Sequence, residues 1–228
     1  MSTTRRAFLD RLAASGIVLS GLPLALGAIP DTLGAAEVGA PQGEWDTRWP
    51  VKMTGKVRAV YDVPEVDSGY GIWRSSVWAA QYAETMGTSA QETSTAIVLR
   101  HNGIVLAMQQ AFWDKYDIGK AHSVTHPITA APTNRNPGLM GESDGVPEPF
   151  ASFAIPKFIG RGGIVLACNL ALQMDVASMI EKADSVTAAE ATRRARALLI
   201  PGVILQPSGV YAAILAQQAA GAHYIHSN

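Results

Sequence analysis

The single cysteine of the chain, Cys168, closes a short apolar run in the stretch GRGGIVLACNLALQ. A thiol at the end of a strand and the start of a helix meets oriented backbone N–H groups, which favour the thiolate. A nearby imidazole can then take its proton. His101, in VLRHNG, also ends an apolar run. Cys168 as nucleophile and His101 as proton acceptor are therefore the candidate catalytic pair. Cysteine is also among the most buried residue types and packs as a small hydrophobe, and Leu166, Ala167 and Leu170 flank this one with apolar surface. Residue types alone leave both roles for the thiol open.

Other polar groups carry weaker signals. Ser208 opens a helix in LQPSGV but has no G-x-S-x-G around it, so it reads as an N-cap. His122 and His126 have the spacing that puts two imidazoles on one helical face, yet Pro127 and the loop composition around them oppose a helix. Met140, Glu142 and Asp144 lie in the same loop. Arg135 in TNRNPG has the chemistry to hold a carboxylate or oxyanion, although Asn134 and Asn136 beside it are turn formers. His223 and His226 read as part of an exposed terminal strand. Neither a cofactor nor a resident metal is expected from these patterns.

The elements that must position these residues alternate. Residues 56–63 alternate apolar and polar in the way of a strand, 94–101, 163–168 and 202–208 are short apolar runs rich in Val, Ile and Leu, and HYIH near the C-terminus is a last short strand. Helical spacing covers 70–87, with Gly87 as its stop, then a segment from after Gly103 to near Gly119, then 187–200 and 209–222. FASFAIPKFIGRG and LALQMDVASMIEKA also read as helices. Such alternation predicts an α/β fold, a three-layer sandwich on a mostly parallel sheet. Ligands bind outside the carboxyl ends of such strands, which places His101, Cys168 and Ser208 on one rim. Residues from about 120 to 150 hold five of the 13 prolines and almost no periodicity. A connection that long is functional or covers something, and it is expected to act as a lid. Trp73, Trp78, Trp113 and Tyr116 read as core or as a contact between subunits.

The chain opens MSTTRRAFLDRLAASGIVLSGLPLALGA. Paired Arg5 and Arg6 before a short uncharged stretch match an export signal of the twin-arginine type, with cleavage expected between Ala28 and Ala40. Expected domains are thus a signal and linker over 1–40, an arm over 41–54 and one domain over 55–228. The mature protein is expected in the periplasm, with no stable membrane insertion once the signal is removed. Of the 228 residues, 48% are hydrophobic and 16% charged, and the formal net charge is −1. That balance gives a globular chain with no electrostatic case for nucleic acid.

Three short motifs resemble the DsrE/DsrF-like family. A strand ends in Ala167-Cys168-Asn169. A helix leads to Leu199-Ile200-Pro201-Gly202-Val203. A helix with Gln217 and Gln218 leads through Gly221 to Tyr224-Ile225. The similarity is strongest over 160–226; over 55–120 only the strand–helix–strand order agrees. The resemblance implies a DsrE-like, flavodoxin-like domain and a homo-oligomer. It also implies that Cys168 accepts sulfur as a persulfide, with a small sulfur species or a sulfur-carrier protein as partner. The insertion near 120–150, the export signal and the lack of a second cysteine depart from compact cytoplasmic members. A second functional class therefore stands beside sulfur handling: a non-catalytic periplasmic binding or assembly module with a structural cysteine.

Overall fold

A computed structural model describes residues 45–227; the expected signal, linker and first arm residues lie outside them. Among the described residues, five strands form one sheet: β1 (Val57–Val63), β2 (Thr93–Leu99), β3 (Ile164–Cys168), β4 (Ile204–Gln206) and β5 (His223–His226). Their order is β4-β3-β2-β1-β5, and every pairing is parallel. The expected mostly parallel sheet is thus wholly parallel. β2 and β3 are buried on both faces over their apolar runs, and β1, whose residues alternate apolar and polar, is buried on both faces too because Asp62 is itself buried.

Eight α-helices among the described residues surround the sheet: α1 (Tyr70–Met86), α2 (Gln110–Tyr116), α3 (Ile118–Ala121), α4 (Ile155–Gly160), α5 (Asn169–Ala171), α6 (Ser178–Asp184), α7 (Ala188–Ala197) and α8 (Gly209–Ala220). A π-helical segment, Leu172–Ala177, joins α5 to α6. The two sides of the sheet differ in kind. One side packs Ala59, Tyr61, Ile97, Leu99, Val165 and Ala167 against most of the helices. The other packs Val60, Ala96, Val98, Ile164 and Leu166 against α8 and the short 3-10 turn Trp49–Lys52. The outcome is a three-layer α/β sandwich of the flavodoxin-like kind.

α8 carries no charged residue in GVYAAILAQQAA. Its buried stripe is Ala212, Ala213, Ala216 and Ala220, small side chains that bring the helix axis close to the sheet. The arm also belongs to the core, because Trp49 is fully buried and Met53 nearly so. Among the described residues no helix is long and apolar enough to cross a membrane.

The segment after β2 departs from its expected single helix. His101–Ala107 is a 3-10 helix, and Met108 is extended and forms a bridge with Leu199 before α2 begins. Ile104 to Met108 are all buried. Five consecutive buried residues have no polar face for a surface helix to present, so tertiary contact decides their conformation. α4 keeps its helix with Pro156 in the first turn, where a missing N–H costs nothing.

The long insertion is braced at many points and packs as a fixed wall. Arg135 donates Nε to Asp144 Oδ1 at 3.0 Å, Nη1 to Gln110 Oε1 at 3.1 Å and Nη2 to the Leu139 carbonyl at 3.3 Å. Buried Asn136 donates Nδ2 to the Leu106 and Met108 carbonyls, at 3.1 and 2.7 Å. Asn134 donates Nδ2 to the Trp113 carbonyl and accepts from Gly119 N–H. Trp73 stacks on Phe150 at 4.5 Å and meets Tyr70 edge-on, so the far end of the insertion is clamped to α1.

Candidate functional site

The carboxyl rim of the sheet holds His101 after β2, Cys168 at the end of β3 and Ser208 after β4. Leu99 pairs with Ala167 across β2 and β3, so His101 and Cys168 leave the same edge. Their side chains have different partners. His101 adopts a left-handed backbone, φ 49°, and its ring is 64% exposed with Nδ1 3.5 Å from Glu65 Oε1. Cys168 is only 5% exposed and packs in the larger core cluster. Its Sγ accepts the N–H of Ala171 at 3.4 Å, which caps α5. No hydrogen bond joins His101 to Cys168 among the described residues. Ser208 Oγ accepts the Tyr211 N–H at 3.1 Å and caps α8.

A cleft of about 340 Å³ opens beside this rim, between the 3-10 helix after β2 and the π-helical segment. Asn102, His122, Asp175, Ser178 and Lys182 give it polar walls; Ile104, Val105, Met174 and Met179 give it apolar ones. Cys168 is not part of its lining. The π segment supplies Met174 and Asp175 together. One wide turn inside a helix shifts the register of the residues after it, and such turns gather at functional sites. Glu65 fixes the mouth, accepting from Asn102 Nδ2 at 2.8 Å while facing His101.

Burial acts on the two ionisable walls in opposite senses. Desolvation pushes the His122 imidazole below its ordinary value, against the pull of Asp175 and Glu65. Desolvation pushes the Asp175 carboxyl up, against the pull of His101 and His122. Both shifts favour the neutral form, as burial must. In the cleft burial therefore biases the imidazole toward its neutral, proton-accepting form and the carboxyl toward its protonated form, and Lys182 lines the same cleft. Pairs driven this way are the usual material of general acid–base chemistry and of polar ligand recognition.

The remaining sequence candidates serve the scaffold. His126 Nδ1 accepts the N–H groups of Ile128 and Thr129, so its Nε2 carries the hydrogen and donates it to the Asp144 carbonyl at 2.7 Å. His122 and His126 therefore face different surroundings, one the cleft and one the loop. Arg135 is spent on the insertion, and Trp113 donates its indole N–H to the Val105 carbonyl. Residue-type reasoning missed Asp175, Asn102 and Lys182. Asp175 shares one helical face with Ser178, Met179 and Lys182 by spacing, but nothing local marks that face as bordering open space. Comparison with models of known protein families and with curated proteins gives no match.

Proposed function

We propose that this chain is an exported DsrE-like domain that binds a small polar ligand in the cleft at its carboxyl rim, with Cys168 as a structural cap. The observation that carries the reading is the separation of thiol and cleft. Cys168 is buried and its sulfur accepts a helix N–H, while the titratable groups that line the cleft are His122, Asp175 and Lys182. The cleft's polar walls suit a ligand with both donors and acceptors, and its methionines adapt to varied apolar parts.

A second reading has its own support, the place of Cys168 at a strand end beside a helix start. There the thiolate would attack the sulfane sulfur of a polysulfide or persulfide donor, displacing the donor's thiolate and leaving a persulfide on Cys168. One experiment separates the two. The full-length protein is treated with iodoacetamide in native buffer and in denaturant, and with polysulfide, and its intact mass is measured. The binding reading expects alkylation only in denaturant and no added sulfur. Rapid native alkylation together with one added sulfur atom would replace it with the sulfur-carrier reading.

A further inference from the structure

A second pocket, of about 250 Å³, lies on the other side of the sheet, between α8 and the pair β1–β5. The strand order makes this place special. From β1 to β4 the chain builds outward in one direction, and then β5 returns to the far side of β1. The reversal leaves a crevice at the β1–β5 boundary, where open parallel sheets hold ligands near the strands' carboxyl ends.

The pocket's polar wall is built around a buried carboxylate. Asp62 is 2% exposed. Its Oδ1 accepts Arg100 Nε at 2.6 Å, and its Oδ2 accepts Arg100 Nη2 at 2.7 Å and the Tyr224 hydroxyl at 2.5 Å. His226 stands 4.0 Å from the same Oδ2. Both oxygens of Asp62 are therefore engaged, and its pairing uses only one edge of the guanidinium. Nη1 lies outside the pair, and Arg100 still lines the pocket. Asp62 is buried while Arg100 stays partly exposed, so the two-point pair holds the guanidinium in one orientation at the pocket wall. Gly209 serves the same end, because a Cβ there would stand 2.8 Å from both Cβ and Cδ of Arg100. Only glycine lets α8 start directly over that side chain.

The opposite wall is apolar and wet. Val210 is 62% exposed and Ile214 47% exposed, and both line the pocket with Ala213. We propose that this pocket binds a small carboxylate with a short apolar tail, the carboxylate on Arg100 Nη1 and the tail along Val210 and Ile214. A rigid guanidinium whose other edge is already fixed by Asp62 is preorganised to hold an oxyanion. A cation meets only a carboxylate whose two oxygens are already engaged. This site shares no residue with the cleft at the rim and stands or falls separately from the function proposed for it.

The test is a titration of the purified full-length protein with hexanoate, followed by backbone amide NMR shifts and calorimetry. Hexylamine and inorganic phosphate are the matched controls. Saturable shifts at Arg100, Val210, Ile214 and Tyr224 with hexanoate, absent with hexylamine, are expected. Phosphate is expected to bind at least about tenfold more weakly, having no tail to bury. Ile214→Asp puts a negative charge on an exposed position at the pocket wall and should abolish hexanoate binding without unfolding the protein. Arg100→Lys keeps the charge but loses the fork, and should weaken binding about tenfold; if it does not fold, Ile214→Asp decides alone. No saturation by hexanoate, equal binding of hexylamine, or full binding by Ile214→Asp would each overturn the proposal.

Discussion

Asn136 offers the sharpest test of how the insertion is held. Its side chain is fully buried and makes three hydrogen bonds: two from Nδ2 to the Leu106 and Met108 carbonyls, and one accepted by Oδ1 from Gly138 N–H at 2.8 Å. Those three backbone groups belong to the 3-10 helix that floors the cleft, the extended residue after it and the insertion itself. Asn136→Ala removes all three partners at once. An unsatisfied buried group costs about 1–3 kcal/mol, so three cost at least about 3 kcal/mol, less whatever a water in the vacated space restores. A domain of this size has about 5–15 kcal/mol in total. The same loss lowers the melting temperature by roughly 2–4 °C per kcal/mol, or about 6–12 °C. Urea denaturation of the variant beside the parent measures it. A lower midpoint with an unchanged slope is expected, because the loss is in the native state. A change below about 1 kcal/mol would show that the insertion is not pinned through Asn136, and the account of a fixed wall would fail.

Because burial lowers the His122 pKa, the unfolded chain takes that proton first, so stability is lost as pH falls through 6.5, its ordinary value; His122→Gln should flatten that limb of the pH–stability curve. Because burial raises the Asp175 pKa, its penalty has the opposite sign and grows as pH rises from 3.8, its ordinary value, to the raised one; Asp175→Asn should remove it, and equal curves for parent and variant would contradict the burial assigned to this carboxyl. Cys168→Ala should cost about 1–2 kcal/mol in denaturant unfolding through the lost cap and the small void, while ligand binding in the cleft is unchanged. Export should stop when Arg5 and Arg6 are both replaced by lysine, and the mature form should self-associate. Cell fractionation showing undiminished periplasmic protein, and light scattering showing a monomer mass at high micromolar concentration, are the results that would refute these two.

The sequence alone determined the layered architecture, because short strands rich in Val, Ile and Leu alternate with helices, and that pattern forms a parallel sheet covered on both sides. It determined the helix stops at Gly87 and Gly221, where the chain enters the left-handed region that glycine occupies without strain. It placed His101, Cys168 and Ser208 at one edge, since parallel strands share a carboxyl end. Tertiary structure decided which way those side chains face. Cys168 turns into the core and caps α5, while His101 turns outward to Glu65 across the β1–β2 edge. No local pattern encodes that choice, because it depends on which segments come to pack around each residue at the rim. The same holds for Asp175: helical spacing sets it on one face with Ser178 and Lys182, and only the fold opens a cleft beside that face. The insertion teaches the converse lesson. Asn134, Arg135 and Asn136 look like turn residues locally, and only the folded chain supplies the carbonyls of Trp113, Leu106 and Met108 and the carboxylate of Asp144 that they hold. Backbone hydrogen bonds and side-chain volume repeat along the chain and can be read from it; long-range polar partners do not repeat, and only the fold brings them together.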